Sequence, residues 1–586
     1  MSSSNGSTNL YDAAVAAAES KAVKTELEEA RKAQAVAKAF LTKTCPAFIE
    51  SLDGKSPSTT DRLRKAGRNI MANLKYAKSS DSKMENVTGA LSLLVEECST
   101  MANVISKKET RKVPKVRYGK TELQMPIVTL GCMRFQQSWN RDGAATVDKI
   151  DQVEKECQDN LVNILKYAVD MGVTHIETAK GYGSSELQLG YAIEKLFQEK
   201  YCNREDLIIQ TKGAVAADMS IKDFKETVEA QLARLKLKYV DLFSVHGLNS
   251  EEGKIRHIGF STHGRADLIR RAIETDAFAY LNLHHHCIGS YTASGDSGKH
   301  DLHGNYDNVE LARSKDMGVF IISPYDKGGR LYAPSVKFRE LTLPEFEPME
   351  YGSLWLWQYH LHQKEHSAAA KNGPMAHTIV CGAARPSDLD QPILASFKMI
   401  PQEDGKDNAE LLAKTVRVSD RLMQRMVDVL GQKWVDTWHV GLPNWFHAKY
   451  GTQHGNLVWL YNLIQAYGLL DFAKDRYSPL EPRGPKWDSD KSKDDNVAQY
   501  GPGWHWMPGC GVANHRDYSV DLGDCPAENR EKLLEAVAFV HKWCQPEKKD
   551  EKSEEEPPAK KAKVERPYEW ETSYDMRPWT AFPERS

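Results

Sequence analysis

The run Thr174-His-Ile-Glu-Thr-Ala-Lys-Gly-Tyr-Gly-Ser-Ser-Glu186 places three kinds of chemistry close together. An apolar, β-branched segment ends at a carboxylate, Glu177. A glycine turn then presents a phenol, Tyr182. Ser184 and Ser185 follow at the start of an amphipathic helix. Two later apolar runs end the same way: Leu207-Ile-Ile-Gln-Thr-Lys212 closes on an amine and Val240-Asp-Leu-Phe-Ser-Val-His246 on an imidazole. Singly, these read as a turn aromatic, a snorkelling lysine and a core histidine. Together they are a proton-transfer set. A reaction that builds negative charge on an oxygen needs a proton as the charge forms. A phenol can supply it, but a free phenol has a pKa near ~10. An ammonium beside it favours the phenolate and lowers that value. A nearby imidazole can orient the reacting group or share the proton.

Such residues need strand ends to hold them. Apolar runs of strand length recur at Val128–Cys132, Thr174–Thr178, Leu207–Lys212, Val240–His246, Arg256–Thr262, Tyr280–His285, Val319–Ser323 and His377–Gly382. Helical periodicity fills most gaps, at Val153–Met171, Ser184–Lys200, Ile221–Leu237, Ala266–Ala277, Val309–Met317, near Glu350–Gln363 and at Ser387–Ser396. Eight strands alternating with helices predict an α/β fold, a (β/α)₈ TIM barrel over 115–400. An open doubly wound sheet is the alternative, weakened because no GxGxxG follows the first strand.

The rest of the 586 residues makes additions to that barrel. Residues 1–110 are rich in Ala, Lys and Glu and predict a helical region that starts disordered. Residues 401–545 are Trp- and Tyr-rich and predict a helical extension. The charged tail 546–586 predicts disorder, with Tyr568, Trp570, Tyr574 and Trp579 able to dock as a strap. With 78 Lys+Arg against 81 Asp+Glu, nothing in the charge favours nucleic acid or an anionic membrane. No apolar run is long enough to span a bilayer. The ten scattered cysteines form no CxxC pair and suit a reducing, cytoplasmic setting. Lys560-Lys-Ala-Lys563 resembles a short nuclear-import run, a second address.

Residues 115–400 resemble the aldo-keto reductase family, (β/α)₈ barrels that bind NADP(H) without a metal. Tyr182, Lys212 and His246 fall in the family's catalytic order. Leu130-Gly-Cys-Met-Arg134, Gly253-Lys-Ile-Arg-His-Ile-Gly-Phe-Ser261, Ile321-Ile-Ser-Pro324 and Gly382-Ala-Ala-Arg-Pro386 match its motifs. Glu177 stands where the family usually has Asp, as in a branch carrying His-Ile-Glu-Thr-Ala; the extra methylene moves the carboxylate by about 1.5 Å. The resemblance implies that Met133, Ser261, Thr262, Asn282, Ser323, Tyr325, Lys327 and Arg385 serve the cofactor. Thr262 replaces the common Asn, and Ile322 replaces a stacking tyrosine. Arg385 suits a 2′-phosphate and hence NADPH over NADH. The C-terminal part resembles a ferredoxin-like extension of some members, but the runs where cluster ligands would lie, Trp434–Pro443 and Trp504–Cys525, hold only Cys510 and Cys525, too few for clusters.

The spacing carries one anomaly. From His246 to Ile258 there are twelve steps, and a parallel crossover with a helix needs more. The fourth crossover helix is therefore expected to be missing, which leaves strand backs to be covered by the C-terminal region or a partner, unless the chain is a truncated form of a longer barrel. The functional expectation is an NADPH-dependent reductase of small carbonyl compounds with Tyr182 as proton donor. The alternative is an NADP(H)-binding barrel that does not turn over and serves as a redox-sensing or scaffolding subunit. A metal site at His284-His-His286 is the weaker reading of that run, and none is expected.

Overall fold

The computed structural model describes residues 84–105, 109–133, 135, 149–213, 219–245, 255–262, 266–289, 305–325, 330–358, 373–400, 406–443, 454–477, 495, 518–544 and 566–571. A small hairpin, β1 (Lys115–Arg117) with β2 (Gln124–Pro126), precedes eight parallel strands. These are β3 (Val128–Gly131), β4 (His175–Glu177), β5 (Ile208–Gly213), β6 (Val240–Val245), β7 (Ile255–Ser261), β8 (Tyr280–His284), β9 (Gly318–Ile322) and β10 (Thr378–Gly382). Each pairs with the next in chain order, and β10 closes on β3, with Ile379 opposite Val128. The strands are short and rich in Val, Ile and Leu because both faces are buried, the inner one in the barrel and the outer one under helices.

The covering helices are α2 (Lys155–Asp170), α3 (Ser185–Gln198), α4 (Ile221–Leu235), α5 (Ala266–Glu274), α6 (Tyr306–Ser314), α7 (Val336–Thr342), α8 (Pro348–Gln358) and α9 (Asp390–Phe397); α1 (Met84–Ile105) precedes the hairpin. Local chemistry sets their ends. Ser220 caps α4 by accepting from Asp223 N at 3.1 Å, and Lys236 stops it in a left-handed conformation at φ 54°. Gly190 lets α3 approach α4, since a Cβ there would lie 2.3 Å from Arg234 O.

The hairpin plugs the N-terminal mouth of the barrel. Buried Tyr118 meets the rings of Tyr280 and His377, and Arg117 bridges Glu122 and Asp316. At this end the strands begin, so the opposite end, where Glu177 and Lys212 stand, is the functional face.

β6 and β7 are neighbours, with Val240 opposite Ile255 and Ser244 opposite Gly259. Only residues 246–254 join them, and a crossover helix with its loops does not fit in that length. Low on the outside of these strands, side chains take part of the helix's place. Buried Asp241 accepts from Arg204 at 2.7 Å and Arg256 at 3.1 Å, and both guanidinium groups lie on the Tyr239 ring.

Beyond the barrel run α10 (Lys406–Leu430), α11 (Gln432–Thr437), α12 (His454–Tyr467), α13 (Leu470–Tyr477) and α14 (Arg530–Cys544). They seat beside the β8 end, where Trp459 Nε1 donates to Ile288 O at 3.0 Å and its ring stacks on His286. Arg330, after β9, pairs with Asp475 of α13. The described part of the tail is an ordered strap: Trp570 packs on Phe539 and Trp543, and Val336 N donates to Glu571 O at 2.8 Å. The hairpin, α7 and this docking lay outside the sequence expectation or were only one of its options. Their signals are single aromatics rather than periodic runs.

Candidate active site

Period-two alternation turns Glu177 and Lys212 inward from the adjacent strands β4 and β5. The structure brings the two together with Tyr182. Lys212 Nζ donates to Tyr182 OH at 2.8 Å, stands 4.6 Å from the centre of its ring and forms an ion pair with Glu177. The longer glutamate thus reaches the ammonium. Tyr182 is held by a tight turn, its N donating to Ala179 O at 3.0 Å. His246 lies outside the described residues, as does Lys327.

The electrostatics differ in part from the sequence expectation. Burial pushes the Lys212 ammonium down to about 7, while a neighbouring Cys132 opposes that shift. Contact with the Glu177 carboxylate also favours the charged form. Burial, and next Cys132, push the Tyr182 phenol up rather than down. A phenol held protonated at neutral pH is a donor, and the lysine contact eases the charge left when its proton goes.

Sequence reasoning missed a supporting carboxylate. Glu186, in the first turn of α3, is buried and accepts from Thr211 Oγ1 and Gln231 Nε2, both at 2.7 Å. Gln231 also donates to Lys212 O at 3.2 Å, so α4 steadies the strand that carries the lysine. Burial raises the Glu186 carboxyl. On the other side, Ser185 Oγ contacts Thr178 Oγ1 at 2.8 Å and donates to Cys132 O at 2.9 Å, tying the helix start to β3.

Beneath the site lies a polar layer in place of the bulky aliphatic residues usual in such barrels. Thr129, His175, Gln210, Ser244, Tyr280 and Thr378 form one connected set. Thr129 Oγ1 is 2.7 Å from Thr378 Oγ1 and 2.7 Å from His175 Nδ1; His175 Nε2 is 3.0 Å from Gln210 Oε1; Gln210 Nε2 donates to Ser244 Oγ at 3.0 Å. Burial lowers His175 to about 3, so the ring is neutral. The sequence signal was available: His175, Gln210 and Ser244 each lie two residues before Glu177, Lys212 and His246.

The residues expected to serve a cofactor separate into groups. Ser261 and Asn282 stand opposite each other on β7 and β8. Asn282 is fully buried, and its Oδ1 has no hydrogen-bond partner among the described residues. An orphaned buried acceptor at the functional end fits a ligand that carries an N–H donor, as a nicotinamide carboxamide does. Thr262 follows Ser261, half-buried. Met133 is exposed on the loop after β3. Ser323 holds a left-handed conformation at φ 54° just after β9. Tyr325 is turned inward instead: it is buried, its hydroxyl is 2.6 Å from Ser353 Oγ, and its ring lies against Tyr332. Its hydroxyl is therefore engaged within the protein. Arg385 is half-buried at the end of β10, where Asp388 accepts from the Ala384 and Arg385 amides at 2.8 and 3.0 Å and shapes the turn.

Among the described residues, no group of His, Cys, Asp and Glu is arranged to hold a metal. His284, His285 and His286 are buried; His285 faces Trp355, and His286 faces Trp459 and Phe472. No helix among the described residues is long and apolar enough to cross a membrane.

With this geometry in place, comparison with known proteins is direct. Residues 128–288 match the model of the aldo/keto reductase family. The chain is 31% identical over 177 residues to a Glycine max protein named "Probable aldo-keto reductase 1", covering 26% of this chain and 49% of that one. It is 33% identical over 138 residues to the Bacillus subtilis (strain 168) protein "Uncharacterized oxidoreductase YtbE", covering 21% and 48%. The chain thus spans about half the length of the curated relatives it matches. A thermostable aldo-keto reductase solved with the inhibitor epalrestat aligns at 22% identity over 51% of this chain and 99% of its own, with a TM-score of 0.36. An aldo-keto reductase of Klebsiella pneumoniae in complex with NADPH aligns at 17% identity over 53% and 96%, with a TM-score of 0.35. Residues 128–288 are thus similar to the aldo/keto reductase family.

Proposed function

We propose that this chain is an aldo-keto reductase that reduces aldehyde or ketone groups to alcohols with NADPH, Tyr182 giving the proton. The observation that carries the reading is the 2.8 Å contact between Lys212 Nζ and Tyr182 OH, with Glu177 paired to the same ammonium. Bound NADPH supplies the hydride. The protein's part is to hold the carbonyl oxygen near the phenol, deliver the phenolic proton to it as negative charge grows, and stabilise the phenolate left behind through Lys212. Glu177 holds the lysine charged against the burial that would neutralise it. Asn282 Oδ1 and Ser261 are suited to fix the nicotinamide ring, and Arg385 to meet a 2′-phosphate.

A second reading keeps NADP(H) binding without turnover, in a redox-sensing or scaffolding subunit. The 246–254 connection favours it, because the length between β6 and β7 is too short for a crossover helix with its loops. Purified full-length chain, mixed with NADPH and a panel of small aldehydes, separates the two. Carbonyl-dependent NADPH oxidation supports the reductase. Saturable NADPH binding with no oxidation for any aldehyde supports the silent barrel.

A further inference from the structure

The buried polar layer runs on to Asn282, whose Oδ1 has no hydrogen-bond partner among the described residues, and its hydrogen bonds fix which way that side chain points. Ser244 Oγ receives two amide nitrogens: Gln210 Nε2 at 3.0 Å and Asn282 Nδ2 at 3.3 Å. A hydroxyl oxygen has two acceptor sites and one proton. With both sites taken, the Ser244 proton goes to the remaining neighbour, Tyr280 OH, at 3.1 Å. The Gln210 orientation is set from further off. Its Oε1 faces His175 Nε2 at 3.0 Å, and neutral His175 takes its other bond from Thr129 Oγ1 at 2.7 Å. The position of Tyr280 is itself built in. A Cβ on Gly259 would lie 2.6 Å from the Tyr280 ring, so only glycine there leaves room for that ring inside the barrel.

We infer that Ser244 and Tyr280 are positioning residues that lock the Asn282 amide with its nitrogen inward and its oxygen outward, so that the site selects a ligand with an N–H donor, a carboxamide rather than a carboxylate. The inference rests on the nicotinamide reading of Asn282. With Ser244 able only to accept, an inverted amide would place oxygen against oxygen. The free Oδ1 then receives a hydrogen bond from a carboxamide NH₂ and repels a carboxylate. Tyr280 acts through Ser244, by drawing the Ser244 proton away from Asn282.

The test compares two nucleotides that differ at that one group, NADP⁺ and nicotinic acid adenine dinucleotide phosphate. Binding to the full-length chain is followed by intrinsic tryptophan fluorescence. The parent should favour NADP⁺ by about tenfold or more, the scale of one buried polar group left unpaired. Tyr280→Phe keeps the ring and removes the acceptor. The Ser244 proton can then turn to Asn282, the amide can invert, and the preference should fall to within about threefold. A merely structural loss would weaken both nucleotides alike and leave the ratio unchanged. Ser244→Ala provides a second variant, which removes the anchor in both amide orientations and should also collapse the ratio. A parental preference that survives in the folded variants overturns the inference while leaving the cofactor reading standing. So does equal binding of the two nucleotides by the parent. A parent that binds neither nucleotide overturns the cofactor reading and the inference with it.

Discussion

Lys212 Nζ stands 2.8 Å from Tyr182 OH and is paired with Glu177, so one buried ammonium links an acid at the end of β4 to a phenol on the following turn. Every catalytic expectation for this chain passes through that ammonium. Lys212→Met should leave the barrel folded, because the side-chain volume is kept, and should lower kcat by about 10²–10⁴. Single-turnover rates with NADPH and an aldehyde check it. A variant within about threefold of the parent would remove Lys212 from the chemistry.

The pH profile follows from the same contact. Burial lowers the Lys212 ammonium to about 7. A group with a depressed folded pKa loses its proton as pH rises through that value, so kcat/KM should be flat below about 7 and fall above it. Glu177 favours the charged lysine, and Glu177→Gln should therefore move the alkaline fall to lower pH. A fall unmoved or moved upward in the variant would mean that the carboxylate does not hold the lysine charge.

His175 gives a stability prediction of definite sign. Its folded pKa is lowered to about 3 by burial, from 6.5. Between those values the unfolded chain binds the proton that the folded chain refuses, so stability falls on acidification through that window, by up to about 1.4 kcal/mol per pH unit. His175→Gln should make the acid slope of unfolding free energy shallower by about one proton. Denaturant unfolding of both proteins across mildly acidic pH measures it. Identical slopes would contradict a buried neutral imidazole.

Trp459 tests the seating of the C-terminal helices on the barrel. It is buried, stacks on His286 and donates to Ile288 O at 3.0 Å. Trp459→Ala should cost about 3–5 kcal/mol in unfolding free energy. A loss below about 1 kcal/mol would mean that the extension does not depend on this contact.

Much of the barrel was legible in the sequence because each strand is an apolar run bounded by turn residues, and the inward positions follow from period two. The observed strands start and stop within a residue of those runs; Thr174–Thr178, for instance, contains β4 at His175–Glu177. The meeting of Glu177, Tyr182 and Lys212 was readable from the resemblance, since two of them close such runs and the third sits on the turn between them. Glu186 was not, because an acid in a first helical turn is ordinarily a solvated one that favours the helix dipole. The inward turn of Tyr325 was also hidden, since its partner Ser353 is 28 residues away on α8. The upward push on the Tyr182 phenol depends on burial, which no local pattern encodes. The cover over β6 and β7 was missed too. Asp241, Tyr239, Arg204 and Arg256 come from three places in the chain and become one stack only when the strands pair.

The central claim is that Tyr182 is the proton donor of a working reductase, and the most direct measurement pairs rate with binding in Tyr182→Phe. The variant removes one hydroxyl and keeps the ring. Aldehyde-dependent NADPH oxidation should fall by at least about 10²-fold, while NADPH affinity stays within about threefold of the parent. A variant that retains most of the parental rate, with binding intact, would contradict the assignment of the proton to Tyr182.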